Sequence, residues 1–121
     1  MIRVLFIALI FFSACSPGID RVPEPKGLID RQELIPLLTE MTKLEGHVTQ
    51  KFNTINKYHK IMTSTGDSLL EAYGFTNAQF EASMDYYISR QEEMISIYDQ
   101  VLENLNEELG KIESSIDTLE F

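Results

Sequence analysis

A few side chains in this sequence are of types that can do chemistry: Cys15, His47, His59, Ser83, and the acidic pairs Glu92-Glu93 and Glu107-Glu108. A thiol or hydroxyl beside a base is a nucleophile. Cys and His at short spacing hold zinc, and adjacent carboxylates hold hard cations. None of these constellations completes. With a single cysteine, an internal disulfide and a CxxC site are both excluded. His47 and His59 are distant from one another, and neither has a second His one helical turn on. Ser83 lies near Tyr87 on a helical face but has no neighbouring His or Lys to activate it. The acidic pairs read as a solvated helix face. The expectation is a chain with no catalytic residue, no metal site and no cofactor, hence not an enzyme.

Cys15 has a different chemistry. It follows Phe12-Ser13-Ala14, and before these lies the apolar run Val4–Phe12 (VLFIALIFF), with Arg3 as a basic start. Nine apolar residues are too few to span a bilayer, which needs about 20, but they suit the core of a signal peptide. The Phe12–Cys15 stretch resembles the lipobox of bacterial lipoproteins, with Phe12 where Leu is usual. The resemblance implies cleavage before Cys15 and a diacylglyceryl group on its sulfur. Several acyl chains make such an anchor stable, since each buried CH₂ contributes about 0.8 kcal/mol. Residues 1–14 are therefore expected to be a lipoprotein signal peptide, with membrane attachment through lipidated Cys15. Ser16, rather than Asp, follows the cysteine, and no acidic cluster comes directly after it. By analogy with lipoprotein sorting, this points to the outer membrane and its periplasmic face.

Composition bounds what the rest can do. The chain has 121 residues, 10 basic and 19 acidic, for a net charge of −9. It lacks the basic footprint that nucleic-acid phosphates require, and an anionic bilayer would repel it. Residues 15–29 hold the lipidated cysteine and a tether rich in Pro17, Pro23, Pro25, Gly18 and Gly27. As a polyproline-type linker the tether would reach roughly 40 Å, at about 3.1 Å per residue.

From residue 30 to residue 121 the pattern is helical throughout. Asp30 and Glu33 have capping-box spacing, so a helix is expected to open at Arg31 unless Pro36 bends it or delays its start. Leu34, Leu37, Leu38, Met41, Leu44, Val48, Phe52 and Ile55 form its apolar face. A second pattern runs through Tyr58, Ile61, Met62, Leu69, Leu70 and Tyr73 to a stop at Gly74, with an interruption expected at Thr63–Asp67. Thr76 and Gln79 form a capping box, with Phe75 and Phe80 placed as a hydrophobic staple. Ser89 and Glu92 suggest another box ahead of a long last helix. There, Met94, Tyr98, Val101, Leu102, Leu105, Leu109, Ile112, Ile116 and Leu119 step like a coiled-coil seam. From residue 89 onward there are nine acids and two bases, a net of −7. The expected fold is an all-α bundle of three or four helices with a long C-terminal helix.

From Gly27 to about Leu105 the chain resembles a family of small Bacteroidetes lipoproteins, the domain of unknown function numbered 4296. The resemblance rests on Leu28-Ile29-Asp30, Tyr73-Gly74-Phe75-Thr76, Gln79-Phe80, Ser83, Tyr86-Tyr87, Ile97-Tyr98, Val101 and Leu105. It implies an anchor and a helical fold but no catalytic residues. Two functions follow as expectations. The first is a non-catalytic protein-interaction module in the envelope, meeting a protein partner or a second copy. Its candidate surface comprises Tyr86 and Tyr87, if helix three leaves one of them uncovered, together with Ile112, Ile116 and Leu119. The alternative is a carrier of a small apolar ligand or lipid in a pocket walled by Met41, Met62, Met84 and Met94.

Overall fold

The computed structural model describes residues 20–52 and 54–119. The expected signal peptide, Cys15 and the last two residues lie outside the described residues. Four helices follow one another: α1, Arg31–Lys51; α2, Ile55–Ala72; α3, Asn77–Ile88; and α4, Gln91–Leu119. The architecture is an all-α bundle, and its last helix is its longest. Among the described residues, no helix is long and apolar enough to cross a membrane.

Apolar residues at helical spacing make the core. Leu34, Leu37 and Leu38 of α1 meet Leu70 of α2, Tyr87 of α3, and Met94, Ile97 and Val101 of α4. Ile29, ahead of the first helix, is buried among them at 1% exposure. Three polar contacts tie α1 to α4: Arg31 to Ser96, Thr39 to Asn104, and Lys43 to Glu108. Each pair lies 65 positions apart in sequence. The constant offset means that the two helices run parallel, so their N-termini share one end of the bundle.

Local chemistry sets most of the boundaries. At the end of α2, Gly74 has φ +81 and continues the chain where other residues would be strained. The Gly74 amide donates to the Glu71 carbonyl, and the Phe75 amide to the Leu70 carbonyl. That pair of bonds is a Schellman motif. Thr76 opens α3 with a complete capping box: its hydroxyl accepts from the Gln79 amide at 3.1 Å, and Gln79 Oε1 accepts from the Thr76 amide at 3.0 Å. Phe75 and Phe80, at the staple positions, both pack half-buried against the core.

Several expectations need correction. Asp30 is the N-cap of α1, but its side chain makes no capping bond; the backbone there is already held by tertiary contacts on Ile29. Pro36 does not delay the helix. It removes one hydrogen bond in the second turn, at roughly 3 kcal/mol, while the three buried leucines around it, Leu34, Leu37 and Leu38, stabilise by about 1.5–3 kcal/mol each. Thr63–Asp67 does not interrupt α2. The hydroxyls of Thr63, Thr65 and Ser68 bond to carbonyls four residues back, and Leu69 and Leu70 are packed at the core beyond them. Ile55 is 83% exposed and does not extend the face of α1. Ser89 does not cap α4. It is the C-cap of α3 and donates to the Tyr86 carbonyl, while the Met94 amide bonds to the Arg90 carbonyl at the start of α4.

The segment expected to be an open tether is docked over residues 20–29. The Val22 amide donates to Ser89 Oγ at 3.1 Å, and Arg90 Nη1 donates to the Val22 carbonyl at 2.9 Å. The Ile29 amide donates to Ser83 Oγ at 2.9 Å, and Tyr87 Oη donates to the Ile29 carbonyl at 2.8 Å. Gly27, at φ +78, turns the strap where Gln79 packs closely against it. The packed body therefore begins ahead of residue 30.

Candidate interaction surface

Two apolar stripes run along α4, one residue or about 100° apart. The first is Met94, Ile97 and Val101, all buried at 8% exposure or less. It continues into half-buried Asn104 and Glu108, which face α1. The second is Ile95, Tyr98, Leu102, Leu105, Leu109, Ile112, Ile116 and Leu119. Leu105 is half-buried; the other seven are between 45% and 83% exposed. Their spacing alternates three and four residues without a break, so they occupy the a and d positions of successive heptads. Every residue from Leu109 to Leu119 is exposed, which places Ile112, Ile116 and Leu119 beyond the part of α4 that α1 covers.

The borders of this seam are polar and acidic. Asp99, Asn106 and Glu113 line one side; Glu108 and Ser115 continue the other after buried Met94 and Val101. Glu108 is bound by Lys43, whose ammonium also reaches Glu40 at 2.6 Å. Hydrogen bonds to these two carboxylates hold Lys43 above its ordinary pKa. Lys111 is on the outer face and pairs with Glu107 at 2.9 Å, with its pKa raised by that bond.

Of the two tyrosines expected as part of the surface, Tyr87 is buried and Tyr86 is partly exposed. Tyr87 is 2% exposed, and its hydroxyl is used on the Ile29 carbonyl. Burial pushes its pKa up, and Glu93 and Asp30 add to the shift. Tyr86 is half-buried, edge-on to Tyr87 at 5.2 Å, with the Arg90 guanidinium 3.7 Å over its ring. The strap covers α3 at Ser83 and Tyr87. Ile95 and Ile97 were absent from the sequence-derived seam. A strict heptad count starting from Leu102 would have found Ile95.

The remaining candidates stay apart. His47 and His59 are exposed. Ser83 is fully buried, and its oxygen accepts from the strap. Among the described residues, no group of three or more Cys, His or acidic residues could hold a metal. An open groove of about 510 Å³ between α1 and α2 is lined by Glu40, Lys43, Leu44, His47, Thr65 and Leu69 among others. A second, of about 530 Å³, lies against Thr49, Phe52, Ile55 and Tyr58. Met41, Met62, Met84 and Met94 line neither groove.

Comparison with known families places this arrangement. The chain matches the model described as "Domain of unknown function (DUF4296)" over residues 25–111 and belongs to that family. The matched stretch includes the last part of the strap and ends one residue before Ile112. No curated protein and no solved structure matches the chain.

Proposed function

We propose that this member of the DUF4296 family is an envelope lipoprotein, held by lipidated Cys15 at the periplasmic face of the outer membrane, whose helical body is a non-catalytic protein-interaction module. The observation that carries the interaction role is the exposed heptad seam of α4. Soluble monomers rarely leave apolar patches above a few hundred Å² open to water, and larger patches mark contact sites. The anchor rests on the lipobox-like Phe12–Cys15 stretch. The strap supports a definite geometry. With Val22 tied to Ser89, only residues 15–21 separate the lipid from the body, a span of at most about 25 Å. The docked end is also the shared N-terminal end of α1 and α4. Over its 29 residues α4 then carries the seam about 43 Å from that end.

Two measurements test this reading. Radiolabelled palmitate should mark the native chain and fail to mark Cys15→Ser; labelling of neither, or of both equally, removes the anchor. After mild detergent extraction from its own envelope, the native chain should sediment as a complex heavier than the monomer of the processed, lipidated chain. Joint Leu109→Ser and Ile112→Ser substitution should return it to the monomer. A monomer in both cases removes the interaction role.

A further inference from the structure

The seam's periodicity and its borders identify the kind of molecule it receives. A straight α-helix drifts about 20° per heptad from a seven-residue repeat, so a repeat kept over residues 95–119 stays on one line only when the helix supercoils with another. The occupant is therefore helical. Seven side chains between 45% and 83% exposed make a patch on the order of 600 Å², and a helix offering a similar area brings the interface to the size of specific complexes.

Charge decides between a second copy and a different chain. In a parallel pair of copies, Glu113 meets the Lys43–Glu40–Glu108 cluster of the other chain, two acids and one base with a net negative charge, twice per dimer. In an antiparallel pair, Asp99 meets Glu113, and the net negative Lys43–Glu40–Glu108 cluster meets its own equivalent. Like charges oppose both arrangements. Lys43, the basic side chain that reaches this border, is already shared by Glu40 and Glu108. A bilayer surface is disfavoured by the same acids. We propose, resting on the interaction role above, that α4 receives a single helix from a different protein, one whose apolar heptad stripe is bordered by lysine and arginine. The exposed acids Asp99 and Glu113 then select it.

The test uses the full chain in detergent micelles and two synthetic four-heptad helices. Both peptides share an Ile/Leu seam; one has Lys and the other Glu at the two border positions. Fluorescence anisotropy should show one-to-one binding of the Lys peptide, about tenfold or more tighter than the Glu peptide. Reversing charge with Asp99→Lys and Glu113→Lys should invert the preference. Leu109→Ser with Ile112→Ser should abolish binding of both peptides without loss of helical circular dichroism, since both side chains are more than half exposed. Equal binding of the two peptides, or a preference untouched by charge reversal, overturns the proposal. A dimer of the chain alone, abolished by Leu109→Ser, also overturns it in favour of a second copy, while the interaction role survives. A monomer that binds neither peptide ends both.

Discussion

The strap offers the sharpest quantitative prediction, because one residue is gripped through both its amide and its carbonyl by a single helix. The Ile29 amide is held by Ser83 and the Ile29 carbonyl by Tyr87, and all three residues are at most 2% exposed. Tyr87→Phe keeps the ring and removes the one hydroxyl donating to that carbonyl. Leaving a buried acceptor unmatched costs about 1–3 kcal/mol, and the lower half of that range fits a carbonyl beside the partly solvated Asp30. We expect a loss of about 1–2 kcal/mol, against a total stability of roughly 5–15 kcal/mol for a domain of this size. In urea, with a slope of about 1 kcal/mol per molar, the midpoint should fall by about 1–2 M at unchanged slope. Ser83→Ala should cost a similar amount through the orphaned amide. The double variant should lose less than the sum of the two, because the second bond has little left to hold once the strap has peeled away. Hydrogen exchange supplies a local readout: the Ile29 amide should be protected in the native chain and exchange quickly in either variant. A Tyr87→Phe change below about 0.5 kcal/mol, the range of ordinary surface substitutions, with Ile29 still protected, would refute the claim that these bonds dock the strap.

Alkaline titration gives a second check. The folded-state pKa of Tyr87 is raised above its ordinary value, so between the two values the unfolded chain has lost a proton that the native chain retains. Stability from this residue is complete below about pH 10 and declines as pH rises beyond it; in urea titrations Tyr87→Phe should flatten that decline. Leu37→Ala, at a fully buried position, should cost about 2–5 kcal/mol by thermal or urea unfolding. Gly74→Ala has open space for the new Cβ but a positive φ, so it should destabilise by about 1 kcal/mol through backbone strain alone.

Local chemistry was readable from the sequence because its partners are near neighbours. Thr76 with Gln79, and Gly74 at the end of α2, need only three to five residues of context, and both formed as read. Where a local signal competed with burial, burial prevailed: Pro36 and Thr63–Asp67 sit within continuous helices because the leucines beside them have a core to enter. The Ser89 box failed because the serine's hydroxyl had a better use, accepting from Val22 across 67 positions of sequence.

By itself the sequence determined the helices, their order, the acidic outer surface and the presence of an apolar seam on the last element. All of these follow from periodicity and composition, which are properties of a single strand of chain. Only the tertiary structure decided which of two stripes on α4 faces inward, that Tyr87 is covered while Tyr86 is half-buried, and that residues 20–29 are bound to the body. A hydrophobic period shows that residues share a line along a helix. It does not say which of two adjacent lines the neighbouring helix will occupy, because that choice depends on the register of α1 against α4, and the contacts that set it join residues 65 positions apart.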